Sequence, residues 1–177
     1  MIFSFLKNKQ GLTLIETTIA LGILMMGILG SITLMYTSFN YVQQTENEIV
    51  VVNLAREGIE LVRAMRNNRD FDLFDPANSY DGQYIIDIDT PDLGAAEIIT
   101  STLADCLTKC KLYLNDGRYV HSDVGPNVSE TGIKRLVRIK KGVSDDEKII
   151  TCEVSWTVKG KTHNYSLTTH LTNWQDT

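Results

Sequence analysis

The run Lys9-Gln10-Gly11-Leu12-Thr13-Leu14-Ile15-Glu16 decides how the rest of this chain is read. Beyond Glu16 the next charged residue is Glu46, so 29 consecutive residues, 17–45, carry no formal charge. Within them the apolar density peaks over Ile19–Tyr36. As a helix, 12–36 would extend about 37 Å, enough to cross a hydrocarbon core of about 30 Å. A carboxylate at the head of such a segment costs roughly 2.5–3.5 kcal/mol at mid-membrane, less near an interface, and by default calls for a cationic partner. Glu16 is therefore the first functional candidate.

Working outward, residues 1–11 hold Lys7 and Lys9 and no acid. Cations on the N-terminal side place that end in the cytoplasm and the C-terminal bulk across the membrane. An ordinary secretory signal fits less well. Its apolar region runs about 7–15 residues before a small-x-small cleavage site, whereas helical patterning here continues past Ile28-Leu29-Gly30-Ser31. The blander reading of Glu16, a side chain snorkelling to the inner interface, leaves the rest of the motif unexplained.

The basic leader, Gly11, Leu12, Thr13-Leu14-Ile15-Glu16 and the apolar helix together resemble the N-terminus of type IV prepilins and pseudopilins. Leu12 stands where that family usually has Phe. The resemblance implies cleavage between Gly11 and Leu12 by a prepilin peptidase, N-methylation of Leu12, and an assembly salt bridge from Glu16 to the Leu12 ammonium of a neighbouring subunit. It also implies other pilin subunits, an inner-membrane platform and its cytoplasmic ATPase as partners, with lipid around the helix before assembly. Two further segments resemble minor pilins: Ala55-Arg56-Glu57-Gly58-Ile59-Glu60-Leu61-Val62-Arg63 and the terminal Leu171-Thr172-Asn173-Trp174. A minor filament subunit is the leading expectation. A type II secretion pseudopilin, or a single-pass anchor carrying a sensing or binding domain, is the alternative.

Apolar periodicity resumes over Ile49–Met65, where Val51, Leu54, Ala55, Gly58, Leu61, Val62 and Met65 keep three- and four-residue spacings. The chain thus predicts one long helix from about Leu12 to Asn67, half in the membrane and half in water, ended by Asn67-Asn68. Gly22, Gly27 and Gly30 weaken its interior. Gly27–Thr33 is read either as a melting region in a filament or as a surface for close helix packing through small residues.

Asp70–Gly82 is loop-like, with Pro76 and Asn78. Strand signals follow: the alternation through Tyr84–Asp89, a hairpin about Asn115-Asp116-Gly117, Lys134–Lys140, and a pair turning at Lys159-Gly160. In that pair Ile150, Cys152, Val154, Trp156 and Val158 match His163, Tyr165, Leu167, Thr169 and Leu171. The fold expected is α+β: a long N-terminal helix packed on a C-terminal antiparallel sheet, the pilin architecture. The divisions are 1–11 leader, 12–39 transmembrane and assembly half of the helix, 40–69 its soluble half, and 70–177 loop and sheet domain.

The formal charge is −5, and −7 without Lys7 and Lys9. That balance disfavours a nucleic-acid surface over the whole domain. Lys134, Arg138 and Lys140, with Arg135 and Lys141 on the opposite face, could touch phosphates, but aromatic interleaving is missing and a solvated strand face is preferred. Outside the cytoplasm a disulfide can persist. Cys106 and Cys110, four apart, could pair if the segment is not straight helix, leaving Cys152 as a buried thiol. A zinc site from the cysteines and His163 lacks ligand spacing. Asp70, Asp72, Asp75 and Asp81 lack a calcium-loop pattern, and a solvated acidic turn is preferred. No nucleophile elbow, metal-binding helix or phosphate loop accompanies His121, His163 and His170. No catalysis and no cofactor is expected.

Overall fold

A computed structural model describes residues 14–67, 72–75, 79–100, 102–103 and 106–173. The leader, Gly11, Leu12, Asn68, Asp70, Pro76, Asn78 and Trp174 lie outside the described residues. The fold is α+β: helix α1, Leu14–Asn67, precedes an antiparallel sheet. The chain divides into two units, Met1–Thr45 and Glu46–Thr177.

In the first unit α1 exposes nearly every side chain, Ile19, Leu24, Met26 and Leu34 among them. Its hydroxyls turn inward: Thr17, Thr18, Ser31, Thr33, Thr37 and Thr45 each donate to a carbonyl three or four residues earlier, at 2.8–2.9 Å. Gly22, Gly27 and Gly30 leave open space around their α-carbons.

In the second unit α1 buries Val51, Leu54, Ala55, Gly58, Ile59, Val62 and Met65, the stripe its periodicity requires. Leu61, expected on that face, is half-buried, and Ile59 takes its place. Seven strands follow: β1 Gly82–Ile85, β2 Glu97–Ile98, β3 Lys111–Asn115, β4 Arg118–Val120, β5 Val128–Lys141, β6 Glu147–Val158 and β7 Lys161–Thr172. β6 pairs with β5 on one side and β7 on the other. Along its opposite edge β5 receives β3 near its start and β1 near its end, and these carry β4 and β2. Two tight hairpins set the registers. Asp116 and Gly117 have φ of 47° and 81°, and Lys159 and Gly160 have 50° and 78°. Positive φ at both central residues matches the right-handed twist of the flanking strands.

One face of the sheet closes on α1 through Ile133, Val137, Ile139, Ile150, Cys152, Val154 and Leu171. Burying each large aliphatic there contributes roughly 1.5–3 kcal/mol. The approach is tightest at Gly58, where an added β-carbon would lie 2.6 Å from Cys152 Sγ. The other face carries a second, smaller core of Ile85, Ile99, Leu103, Cys106, Cys110 and Leu136. The alternation through Tyr84–Asp89 is not one strand. β1 stops at Ile85, Ile86 is buried beyond it, and Ile88 is exposed. β5 instead starts earlier than the Lys134–Lys140 signal, because Gly132, at φ 70°, lets the strand continue through a bulge against β3.

Candidate functional site

Glu16 lies in the first turn of α1, exposed, where a carboxylate interacts favourably with the helix dipole. It is the only charged residue of α1 before Glu46. By length and composition α1 is apolar enough to cross a membrane. Gly11 and Leu12, the cleavage and methylation candidates, precede the described residues.

The second unit holds a charged cluster that the strand alternation only hinted at. Arg135 on β5 is fully buried. Its Nη1 reaches Glu57 Oε1 of α1 at 3.1 Å, and its Nη2 donates to the Ile86 carbonyl at 2.9 Å and meets Asp87 Oδ1 at 3.3 Å. Its backbone N–H donates to the Cys110 carbonyl at 2.9 Å. Asp87 also receives the His121 N–H at 3.0 Å and lies 2.6 Å from His121 Nδ1. Burial pushes the Asp87 carboxyl up, but the His121 hydrogen bonds and charge and the Arg135 charge outweigh it, so its pKa is lowered. Arg135 thus ties together the helix, the strand and the segment between β1 and β3, whose start its guanidinium holds and whose end its backbone N–H holds. It can fix those elements relative to one another.

The sequence sets Arg135 opposite Lys134, Arg138 and Lys140 without assigning it a buried role. It shares its face with Ile133, Val137 and Ile139, and that parity with apolar neighbours is the signal that finds it. Of the other strand cations, Arg138 pairs with Glu153 and Lys141 with Asp145. Cys106 and Cys110 form a disulfide within the second core. Cys152 is a buried free thiol beneath Gly58, and burial pushes its pKa up to about 12. His163 stacks on Trp156 across the β6–β7 pair, with ring centroids 5.3 Å apart. The zinc candidates are therefore dispersed. Asp81 pairs with the buried Lys148 at 2.8 Å, and Asp72 accepts the Phe74 N–H. Among the described residues no group of three or more His, Cys, Asp or Glu is placed to hold a metal ion.

Comparison with known protein families, curated proteins and solved structures found no match.

Proposed function

We propose that this chain is a minor subunit of a type IV pilus-like filament, anchored in the inner membrane before assembly and carried to the cell surface with the filament. The observation that supports this best is Glu16: a lone carboxylate five residues after Gly11, followed by 29 uncharged residues in an exposed apolar helix. A prepilin peptidase cuts between Gly11 and Leu12 and leaves a new ammonium at Leu12, which methylation does not neutralise. Glu16 of an incoming subunit pairs with that ammonium on a subunit already in place. Two charges that are each costly in low dielectric attract strongly once adjacent, and so set the axial register of the helices. The α+β architecture, a helix packed on an antiparallel sheet with its apolar first part uncovered, fits the pilin fold. In this reading the chain has no reaction of its own, and its partners are the peptidase, other subunits and the assembly platform with its ATPase.

The intact mass of the mature protein tests the processing: residues 1–11 should be missing and Leu12 methylated, and a retained Met1 would sink the reading. Glu16→Ala should still be cleaved yet be depleted from sheared filaments. Undiminished incorporation would remove the pairing mechanism. Surface fibres containing the chain separate a pilus from a secretion filament, which shares the N-terminal chemistry.

A further inference from the structure

β7 forms one edge of the sheet, and its outer backbone groups can be phased. All twelve of its residues pair with β6 without interruption, from Val158↔Lys161 to Glu147↔Thr172. Asn173 N–H donates to the Asp146 carbonyl directly opposite, at 2.8 Å. In an antiparallel ladder bonded and non-bonded pairs alternate. The odd-numbered residues of β7 therefore bond to β6, and the even-numbered ones turn their N–H and C=O outward. Of these, the Thr172 carbonyl accepts from Arg66 of α1 at 3.5 Å. Among the described residues none pairs with the outward groups of Thr162, Asn164, Ser166, Thr168 and His170, which present an open edge.

Native edges of this length are normally blunted by proline, bulges or repeated lysines. β7 has no proline, no bulge and a lysine only at its first position. On the helix side its row is unfinished: Tyr165 and Leu167 pack on the core but stay half-exposed. The flank of α1 above that row is basic. Arg63 Nη2 donates to Thr169 Oγ1 at 3.0 Å, and Arg56, two helical turns earlier, shares the Arg63 stripe and is exposed. Among the described residues Glu60, paired with Arg63, is the carboxylate of α1 on that flank, and β7 itself contains none. In a chain of net charge −5 this is a local excess of positive charge beside an open edge.

The geometry points to the β7 edge as an acceptor for an added β-strand, supplied by an extended acidic segment of another polypeptide. Main-chain hydrogen bonds to the even-numbered residues would hold it. Carboxylates on its α1-facing row would meet Arg56 and Arg63, giving direction and partner choice.

The test uses the full chain in detergent micelles. The probe is a capped peptide of alternating valine and glutamate, with its valine–lysine counterpart as control. Amide exchange at Thr162, Asn164, Ser166, Thr168 and His170 should slow by about tenfold or more with the acidic peptide alone, as new backbone bonds form. Ser166→Pro removes an outward N–H and spares the β6 ladder, so the fold should survive and binding should vanish. Arg56→Glu with Arg63→Glu provides a second arm should the proline variant not fold, and should weaken binding by about tenfold or more. Equal binding of the basic peptide, or affinity unchanged in the arginine pair, overturns the proposal. So does a folded Ser166→Pro protein that still binds. Dimerisation of the chain alone that Ser166→Pro abolishes would assign the edge to a second copy, and would overturn the acidic partner.

Discussion

Replacing Arg135 by methionine puts the buried cluster to a quantitative test. The substitution keeps most of the side-chain volume in a fully buried position and removes the charge. Three partners lose a donor. The Ile86 carbonyl is left unpaired in the interior, at a cost of about 1–3 kcal/mol. Glu57 is 43 % exposed, and solvent screening limits its loss to about 1 kcal/mol. Asp87 keeps His121 but loses the guanidinium. Methionine returns something, because the buried Nε of Arg135 has no partner and that penalty disappears. The net cost is about 3 kcal/mol, near the lower end of what breaking a buried charge cluster from one side brings. For a cooperative unit of this size that lowers Tm by roughly 10 °C. Thermal unfolding of the full chain in micelles, followed in the strand region of the circular dichroism spectrum, measures it. An Arg135→Met protein melting within about 2 °C of the parent would refute the reasoning.

Asp87 gives the cluster a pH signature. Its folded pKa is depressed, so its contribution is fully present above the unfolded value and is lost as pH falls through the folded one. Acid unfolding of Arg135→Met should therefore begin at higher pH than in the parent, and coincident acid transitions would contradict this. Gly58→Ala gains about 1 kcal/mol of helix propensity but drives a methyl against Cys152, so it should destabilise by about 1–2 kcal/mol net. Adding Cys152→Ala should recover part of that, and strict additivity in a double-mutant cycle would argue against the contact. Cys106→Ser with Cys110→Ser opens a small loop and should cost about 2 kcal/mol in denaturant unfolding without reductant; an unchanged midpoint would contradict it. Gly160→Val forces a β-branched residue into φ 78° and should cost about 1–3 kcal/mol, with unaltered stability counting against the turn assignment.

The elements legible in the sequence are those whose signal is local. The three- and four-residue spacing over Val51–Met65 and the two turns at Asp116-Gly117 and Lys159-Gly160 each act over a handful of residues, and the structure has them. The Ile150–Trp156 alternation likewise maps onto the buried face of β6. What escaped is tertiary. Leu136 sits on the nominally outward face of β5, and only the segment bearing Cys106 and Cys110, folding over that face, makes it core. Arg135 reads as one cation in a basic run until Glu57 and Asp87, distant in sequence, converge on it. Periodicity reports which side of a strand a residue takes; it is silent on what arrives to cover that side. At the N-terminus the position is reversed: charge spacing alone marks out Glu16, and the partner proposed for it belongs to a second molecule.

The inward-turned hydroxyls of α1 bear on how such a helix would choose its neighbours. Thr17, Thr18, Ser31, Thr33, Thr37 and Thr45 satisfy themselves on their own backbone. Over 17–35 the helix consequently shows its surroundings an almost hydrocarbon exterior despite its alcohols. Adjacent helices could slide along it with little to tell one rung from the next. In the filament proposed above, the ionic group at Glu16 would supply the notch against which sliding stops.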